Sequence, residues 1–235
     1  DVSFAYNNGE PVLDHISIHI PQGETVAVVG PSGGGKSTLC QLIPRFYDVT
    51  GGRILVDGVD VRSVTQHSLR QNIGIVQQDV FLFAGTILDN IRYGRPDATE
   101  DEIIEAAKRA EIYDDIMNMP DGFQTYVGER GVMLSGGQKQ RVAVASAIAS
   151  ERPLIVFDEP TSGLDLFHMR QVAEVVNRIT EQGRTAVVVT HDPEFILRCC
   201  KFVIHMEHGK IQESYSLCEP EGRERLLRFF LNEMG

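Results

Sequence analysis

The sequence lacks an apolar segment long enough to cross a membrane. Its longest apolar runs, at residues 154–157 and 186–189, are far shorter than the roughly 18 residues that a membrane-spanning helix requires. The first residues also lack the pattern of a cleavable signal peptide. We therefore expect a domain that is itself soluble and that works in the cytoplasm.

An excess of basic residues is also missing. The chain has 22 lysine and arginine residues against 33 aspartate and glutamate residues, which gives a formal net charge of −11. A protein that coats nucleic acid or anionic lipid through bulk charge needs the opposite balance. We predict that nucleic acid is not a partner, while a local anion-binding site stays compatible with this composition.

Cysteine is scarce, and internal repeats, heptad patterns and low-complexity segments are absent from the sequence. The cysteines lack metal-ligand spacing, which indicates reduced cytosolic thiols; they are Cys40, Cys199, Cys200 and Cys218. With 42% apolar and 23% charged residues, the composition excludes a disordered, collagen-like or coiled-coil chain. The 235 residues suffice for one large domain or two small ones and for a sizeable buried core.

Short apolar runs bounded by turn residues predict buried strands that alternate with helices. These strands are expected at residues 25–29, 73–76, 154–157 and 185–189. Helical spacing and capping patterns predict helices over residues 36–43, 135–150 and 166–180. Another helix is expected after Thr99, which fits a capping box with Glu102.

Weaker patterns complete the expected secondary structure. Asp57 and Gly58 lie between apolar flanks and predict a hairpin. Alternating apolar residues over 16–20 predict a strand. The polar residues 212–223 predict a loop, and residues 223–232 predict a final helix.

A glycine-rich loop is the strongest single motif. Residues 30–38 read GPSGGGKST and match GxxxxGK[ST] between a predicted strand and a predicted helix. Glycine lets backbone N–H groups converge on phosphate oxygens, and the helix start adds partial positive charge. Lys36 offers a full charge to the β and γ phosphates, and Ser37 offers a hydroxyl to Mg²⁺. The predicted nucleotide contacts of this loop are Gly30, Ser32, Gly33, Gly34, Gly35, Lys36, Ser37 and Thr38.

Two carboxylates, Asp158 and Glu159, follow the predicted strand at residues 154–157. In an open parallel sheet, the carboxyl ends of the strands border the ligand crevice. We expect Asp158 to bind Mg²⁺ through water and Glu159 to polarise the attacking water. A strand that ends in surface acids is common, so this interpretation depends on the pairing with the phosphate loop.

A second glycine-rich helix start reads LSGGQ over residues 134–138. Ser135 and Gln138 fit the capping box S-x-x-Q, and such a helix end is suited to holding an anion. Two anion cradles in one domain imply either two ligands or one ligand shared between two copies of the chain. An ordinary capped helix is the alternative.

The motifs and the order of elements predict the fold class α/β. We expect a P-loop NTPase (RecA-like) core with an N-terminal antiparallel β layer and an inserted helical subdomain. The domain would be single and cover residues 1–235. Within it, residues 1–78 and 151–235 would form the nucleotide-binding core with its β layer, and residues 79–150 would form the helical subdomain.

In this combination and order, the motifs resemble the nucleotide-binding domain of ATP-binding cassette (ABC) transporters over nearly the whole chain. The resemblance implies that Tyr6 stacks on adenine and that Gln78 touches Mg²⁺ beside a transmembrane partner. Gln77 fits less well than Gln78, because the family usually places an acidic residue after its glutamine.

The later motifs resemble the same family. Residues 162–165 are similar to its D-loop, and His191 is similar to the switch histidine at the γ phosphate. Residues 134–138 match its signature, whose implied nucleotide contacts are Ser135, Gly136, Gly137 and Gln138. The resulting catalytic set is Glu159, His191 and Lys36, and the metal set is Ser37, Gln78 and Asp158.

The two halves of the chain resemble different branches of the family. Up to about residue 141 the chain is exporter-like, as at residues 81–91 and 127–131, the latter similar to a loop that contacts the membrane domain. Residues 159–165 and 191–193 are importer-like. This mixture, with a start inside the expected first strand, predicts a chimeric, excised or engineered domain; a trimmed natural protein of mixed type is the alternative.

The resemblance implies an ATP hydrolase that takes ATP and Mg²⁺. Two copies, or one copy and a homologous domain, would close head to tail, so that the signature helix of one caps the γ phosphate held by the other. Opening after hydrolysis would drive transmembrane subunits, and the domain would sit peripherally at the cytoplasmic face of a membrane.

Other function classes share part of this pattern. ATPases of DNA repair and chromosome maintenance carry the signature but usually hold a long coiled coil between the two glycine-rich motifs, where this chain lacks heptads. A simple P-loop kinase or GTPase would lack the signature. A nucleotide-binding fold without coupled activity is the third alternative.

Overall fold

The computed structural model describes residues 1–128 and 133–233. Its strands are β1 (Val2–Ala5), β2 (Pro11–Ile16), β3 (Thr25–Val29), β4 (Leu55–Val56), β5 (Val59–Asp60), β6 (Ile73–Val76), β7 (Gly85–Thr86), β8 (Tyr126–Val127), β9 (Leu154–Asp158), β10 (Thr185–Val189), β11 (Phe202–Glu207) and β12 (Lys210–Ser216). Its α-helices are α1 (Lys36–Leu42), α2 (Gln66–Gln71), α3 (Ile87–Arg92), α4 (Glu100–Arg109), α5 (Tyr113–Met117), α6 (Gly136–Ala149), α7 (Leu166–Glu181), α8 (Pro193–Cys199) and α9 (Pro220–Glu233).

A six-stranded sheet with the order β12-β11-β3-β10-β9-β6 forms the centre of the fold. All neighbours pair in parallel except β12, which pairs antiparallel with β11 at one edge. Val189 of β10 lies opposite both Val28 of β3 and Asp158 of β9. The three central strands therefore end at the same level, and the loops that follow them meet at one edge of the sheet.

The central strands are apolar throughout because the sheet is covered on both faces. In β3, Val26 and Val28 belong to a core that includes residues of α1 and of the small antiparallel sheet β1–β2. Ala27 and Val29 point to the opposite core, which includes residues of α3, α4, α6 and α7. A strand buried on both sides is a continuous apolar run instead of an alternating one, and all five residues of β3 are buried.

Most of the predicted elements are confirmed. The four strands expected in the parallel sheet are β3, β6, β9 and β10, and the expected helices are α1, α6 and α7. Thr99 and Glu102 form the predicted capping box of α4. Asp57 and Gly58 form the predicted turn between β4 and β5, with φ angles of 51° and 78°. Both angles are positive, as a tight two-residue hairpin turn requires.

Two predictions of secondary structure are wrong. The loop expected at residues 212–223 is not found, since β12 runs to Ser216 and α9 begins at Pro220. An edge strand is held by backbone hydrogen bonds to its neighbour, so polar side chains do not prevent it. Residues 16–20 do not form the predicted strand, since β2 ends at Ile16.

Helices α3 to α6 lie between β6 and β9 in sequence, where an inserted helical region is predicted. α6 packs against both α3 and α4, and also contacts β6 of the central sheet. The division of the chain after residue 78 and before residue 151 stays a prediction. Residues 129–132, within and just after the exporter-like loop at 127–131, lie outside the described residues.

Candidate functional site

A cavity of about 350 Å³ lies at the carboxyl edge of the central strands. Its lining residues are Val12, Ser32, Gly33, Gly35, Lys36, Ser37, Thr38, Gln78, Glu159, Val189 and His191. The structure thus brings together the glycine-rich loop and three residues that are distant in sequence, Gln78, Glu159 and His191. Each of these three follows a different parallel strand, which explains why they meet.

The glycine-rich loop needs glycine at specific positions. At Gly30, φ is 143° and a Cβ would lie 1.9 Å from the carbonyl oxygen of Met206 in β11. At Gly35, φ is 96° and a Cβ would lie 2.5 Å from the side chain of Leu13. The loop is therefore pressed against β11 and β2, and a residue with a side chain would push it out of place.

Lys36, the first residue of α1, folds back over this loop. Its Nζ donates to the carbonyl oxygen of Gly30 at 2.6 Å and to that of Pro31 at 2.8 Å. The ammonium group therefore lies inside the loop at the cavity. A phosphate group that enters the loop would meet this charge together with the backbone N–H groups.

Ser37 and Asp158 form a group of oxygen donors next to the loop. The hydroxyl of Ser37 donates to Oδ1 of Asp158 at 3.4 Å. Burial and then the charge of Glu159 raise the pKa of Asp158, while the Ser37 hydrogen bond and the charge of Lys36 act in the opposite direction. A hydroxyl and a partly buried carboxylate are ligands that Mg²⁺ prefers, so the donor set fits this ion.

We expect the change Asp158→Asn to stabilise the nucleotide-free chain at neutral pH. The pKa of Asp158 is higher in the folded chain than in the unfolded chain. As the pH rises from about 4, the Asp158 carboxyl therefore loses its proton in the unfolded chain before it does so in the folded chain. The free energy of unfolding decreases over this range and, at neutral pH, stays below its value at pH 4. Asparagine keeps the shape without the charge, so Tm at pH 7 should rise by about 1 to 3 °C, and the gain should shrink toward pH 4.

Calorimetry in EDTA without nucleotide measures this effect. Asp97→Asn, the same change at an exposed aspartate, is the matched control and should leave Tm nearly unchanged. A lower Tm for Asp158→Asn than for the wild type at pH 7 would show that the buried charge is not the destabilising feature.

Glu159 and His191 form a pair at the cavity. Oε1 of Glu159 lies 2.9 Å from Nδ1 of His191, and the two side chains are 12% and 76% exposed. Glu159 has a φ of 50°, in the left-handed region that non-glycine residues rarely adopt. Its backbone N–H donates to the carbonyl oxygen of Val189 at 2.8 Å, which ties the turn after β9 to the end of β10. This unusual backbone directs the carboxylate toward the cavity.

Tyr6 is close to the loop but does not line the cavity. Its hydroxyl lies 3.2 Å from that of Thr38 and donates to the side chain of Gln41 at 3.0 Å. Its ring makes edge contacts with Phe4 and Tyr47 at centroid distances of 4.7 and 5.1 Å. The sequence analysis did not place either Phe4 or Tyr47 beside Tyr6. Adenine stacking on this ring stays a prediction.

The signature residues lie at the start of α6, away from the cavity lining. Ser135 and Gln138 form the predicted capping box, in which each side chain accepts from the other's backbone N–H, at 3.2 and 3.0 Å. Ser135 and Gly136 are exposed. The predicted nucleotide contacts therefore fall into two groups, one at the cavity and one at this exposed helix end.

Sequence reasoning missed the roles of Asp115 and Arg141, whose side chains lie behind this helix start. Asp115 of α5 accepts from the side-chain amide of Gln138 at 3.0 Å and from Arg141 at 2.8 Å. Nothing in the residue pattern relates Asp115 to residues 134–138, because only the folded chain brings these side chains of α5 and α6 within hydrogen-bond distance. In the D-loop, Asp165 caps α7 by accepting from the backbone N–H of His168 at 2.9 Å.

Comparison with known proteins identifies relatives of this chain. A family model described as ABC transporter matches residues 13–162. One relative is a Bacillus subtilis (strain 168) protein described as a multidrug export ATP-binding/permease protein. It is 50% identical to this chain over 214 residues, and the match covers 91% of this chain and 37% of that protein. A protein of the same description from Staphylococcus aureus (strain NCTC 8325) has the same identity and coverage.

A solved structure of a bacterial Atm1-family ABC exporter with ATP bound is also similar, with a TM-score of 0.92 and 39% identity. The match covers 99% of this chain and 41% of that exporter chain. The chain thus spans well under half the length of these relatives. Within residues 1–128 and 133–233, none of the helices has the length and apolar character needed to span a membrane.

The similarity to exporters continues past residue 141, and the chimeric origin considered from the sequence stays a hypothesis. The family match covers more than half of the chain, and the α/β sheet with its glycine-rich loop agrees with a P-loop NTPase fold. The chain therefore belongs to the ABC transporter family, as an ATP-binding domain like those of multidrug exporters, a class of domain that binds and hydrolyses ATP.

Proposed function

We propose that this chain powers an exporter-like transporter and that two copies, or one copy and a homologous domain, close head to tail around ATP and Mg²⁺. One observation carries the proposal. The cavity gathers Lys36, Glu159 and His191, while the helix start at residues 134–138, exposed at Ser135 and Gly136, is not part of its lining. A second chain related by a two-fold axis would bring that helix end to the cavity.

Nucleotide binding is assigned to the phosphate loop and Tyr6. The ammonium group of Lys36 donates to two carbonyl oxygens of the loop, and the more negative phosphate oxygens would take over these hydrogen bonds. The Tyr6 hydroxyl lies next to that of Thr38 in the first turn of α1. Adenine that stacks on this ring would therefore leave its phosphates over the loop.

Hydrolysis is assigned to Glu159 and His191. The Glu159 carboxylate would accept a proton from water while the water oxygen bonds to the γ phosphorus and the bond to the β-phosphate oxygen breaks. His191 pairs with this carboxylate through Nδ1 and would hold the water and the γ phosphate in line. Mg²⁺, when bound, would neutralise charge on the phosphates. The residues that would hold it are Ser37, Gln78 and Asp158.

Transmembrane segments are the expected partner, since the relatives are named as ATP-binding/permease proteins and this chain spans 37% of their length. Exposed aromatic side chains support a docking surface for them. Phe81, Phe83 and Tyr93 are 72%, 45% and 65% exposed, and the Phe83 ring contacts Phe81 edge-on and Tyr93 at a tilt. An exposed cluster of aromatic rings is more stable when another protein surface covers it than when it faces water. The domain would then lie peripherally at the cytoplasmic face of a membrane.

Ser135→Arg tests the shared site. The added bulk and positive charge at the exposed helix end should block closure of the pair, while the cavity that binds ATP is unchanged. We expect ATP affinity in dilute solution to stay within about twofold and the rate of hydrolysis to fall at least about tenfold, which is ~1.4 kcal/mol in activation free energy. Titration calorimetry and the ATPase rate against protein concentration measure the two quantities. A Ser135→Arg chain that hydrolyses ATP normally as a dilute monomer contradicts the proposal.

Mixing two inactive variants locates the shared site. In a pair of Ser135→Arg and Lys36→Ala chains, one site combines both defects, and the other combines an intact phosphate loop with an intact helix end. If one intact site suffices for hydrolysis, the mixture regains activity that neither variant has alone; if both sites must load, it stays inactive. Mixing Ser135→Arg with a second inactive variant in the same helix end, Gly136→Arg, is the matched control and should restore nothing.

A further inference from the structure

Behind the exposed start of α6 lies a chain of polar contacts that the proposed mechanism does not use. Oδ1 of Asp115 accepts from Nε2 of Gln138 at 3.0 Å, and Oε1 of Gln138 accepts from the backbone N–H of Ser135 at 3.0 Å. The Ser135 hydroxyl in turn accepts from the backbone N–H of Gln138 at 3.2 Å. The carboxylate of α5 is thus linked to Ser135 through one amide group.

This link sets the orientation of the Gln138 amide. An ionised carboxylate can only accept hydrogen bonds, so it selects the NH₂ end of the amide. The amide oxygen must then face the opposite way, toward the backbone N–H of Ser135. The reverse orientation would place two oxygens together at Asp115 and two donors together at Ser135. Asp115 therefore favours the one orientation that completes the capping box.

An ion pair between Arg141 and Asp115 reduces the negative charge near the start of α6. Arg141 donates to Oδ2 of Asp115 at 2.8 Å and to the carbonyl oxygen of Glu111. Its side chain is 7% exposed, whereas that of Asp115 is 32% exposed. The ion pair offsets the negative charge of Asp115, which would otherwise oppose a phosphate at the α6 N-terminus.

The ordered capping box also determines what Ser135 can offer to a ligand. Its backbone N–H is occupied by Gln138, and its hydroxyl oxygen already accepts one hydrogen bond. A hydroxyl has one hydrogen to donate in addition to its lone pairs. Since Ser135 is exposed, this hydrogen can turn toward a phosphate oxygen that approaches from a second chain.

We propose that Asp115 is a positioning residue for the shared site: it orients Gln138 and thereby holds Ser135 ready to cap the γ phosphate of the partner chain. This inference rests on the proposed function, because it requires that residues 134–138 act on ATP bound by another chain. Asp115 itself touches neither ATP nor water in this role.

The test compares Asp115→Ala with Asp114→Ala, which removes the same charge from an exposed position of the same helix. For Asp115→Ala, we expect ATP affinity in dilute solution within about twofold of the wild type and a rate of hydrolysis about tenfold lower, which is ~1.4 kcal/mol. In chains that also carry Glu159→Gln, about tenfold more protein should be needed to form the ATP-bound pair. Asp114→Ala should match the wild type in all three measurements.

Two further variants separate positioning from a structural role. Asp115→Asn keeps an oxygen that can accept from Gln138, so its rate should lie between those of the wild type and Asp115→Ala. In the mixture of Ser135→Arg and Lys36→Ala chains, Asp115→Ala should lower the activity when it is on the Lys36→Ala chain, which supplies the intact helix end. On the Ser135→Arg chain it should have little effect.

Three results would overturn the inference. The first is an Asp115→Ala chain that hydrolyses ATP at the wild-type rate. The second is a lower rate that is fully explained by weaker ATP binding, or by a smaller folded fraction measured by calorimetry. The third is an equal loss from either placement in the mixture. If Ser135→Arg also hydrolyses ATP normally, the proposed function itself is wrong; if Ser135→Arg is inactive, the failure concerns Asp115 alone.

Discussion

Replacement of Glu159 with glutamine is expected to lower the rate of ATP hydrolysis by about 10² to 10⁴-fold, the range that a general base typically supplies. The Glu159 carboxylate faces the cavity with 12% of its side chain exposed and pairs with His191 at 2.9 Å. Glutamine keeps the size of the side chain but accepts protons too weakly to activate water. ATP binding should survive, because the phosphate loop is not altered.

The Glu159→Gln variant should also accumulate as the closed, ATP-bound dimer. If ATP holds two chains together and hydrolysis releases them, a chain that binds but does not hydrolyse ATP should elute as a dimer from a sizing column in ATP and Mg²⁺. Glu105→Gln, the same change at an exposed position of α4, serves as the matched control. A Glu159→Gln chain with full activity would mean that another group is the base.

Lys36→Ala is expected to weaken ATP binding by about 10- to 100-fold, which corresponds to ~1.5–3 kcal/mol for hydrogen bonds to a charged group. Lys36 places its ammonium group inside the phosphate loop through the carbonyl oxygens of Gly30 and Pro31. Hydrolysis should be lost as well, because this charge also offsets the negative charge on the transferred phosphoryl group. Titration calorimetry with ATP and Mg²⁺ measures the affinity, and a phosphate-release assay measures turnover.

The control for Lys36→Ala removes a lysine from the opposite edge of the sheet. Lys201 precedes β11, pairs with Glu24 and is 51% exposed, so Lys201→Ala changes the net charge equally without touching the cavity. Its affinity for ATP should equal that of the wild type. If Lys36→Ala binds ATP as tightly as Lys201→Ala does, residues 30–38 are not the phosphate site.

Much of the fold follows from local patterns. Continuous apolar runs become β3, β6, β9 and β10 because a strand covered on both faces needs apolar residues on both sides. The capping residues Thr99 and Ser135 mark the starts of α4 and α6 because each side chain satisfies a backbone N–H of its own helix. Such interactions span three or four residues, so the sequence contains all the information they need.

The order of motifs also predicted the family, and the family match confirms that prediction. The roles of single site residues stay predictions, although the structure gathers several of them at one cavity. β12 escaped the sequence analysis, since residues 210–216 are largely polar and the strand depends on pairing with β11.

By itself, the sequence determined the glycine-rich phosphate loop, four of the five parallel strands, the two glycine-rich helix starts and the family, whereas β11 was not predicted. Tertiary structure alone decided what surrounds them. The carbonyl oxygen of Met206 makes glycine obligatory at Gly30, and the Asp115 carboxylate orients Gln138. These contacts join elements that are distant along the chain, and they exist only because strand register and helix packing set their distances. A local pattern carries no record of such distances, so they become visible only once the chain is folded.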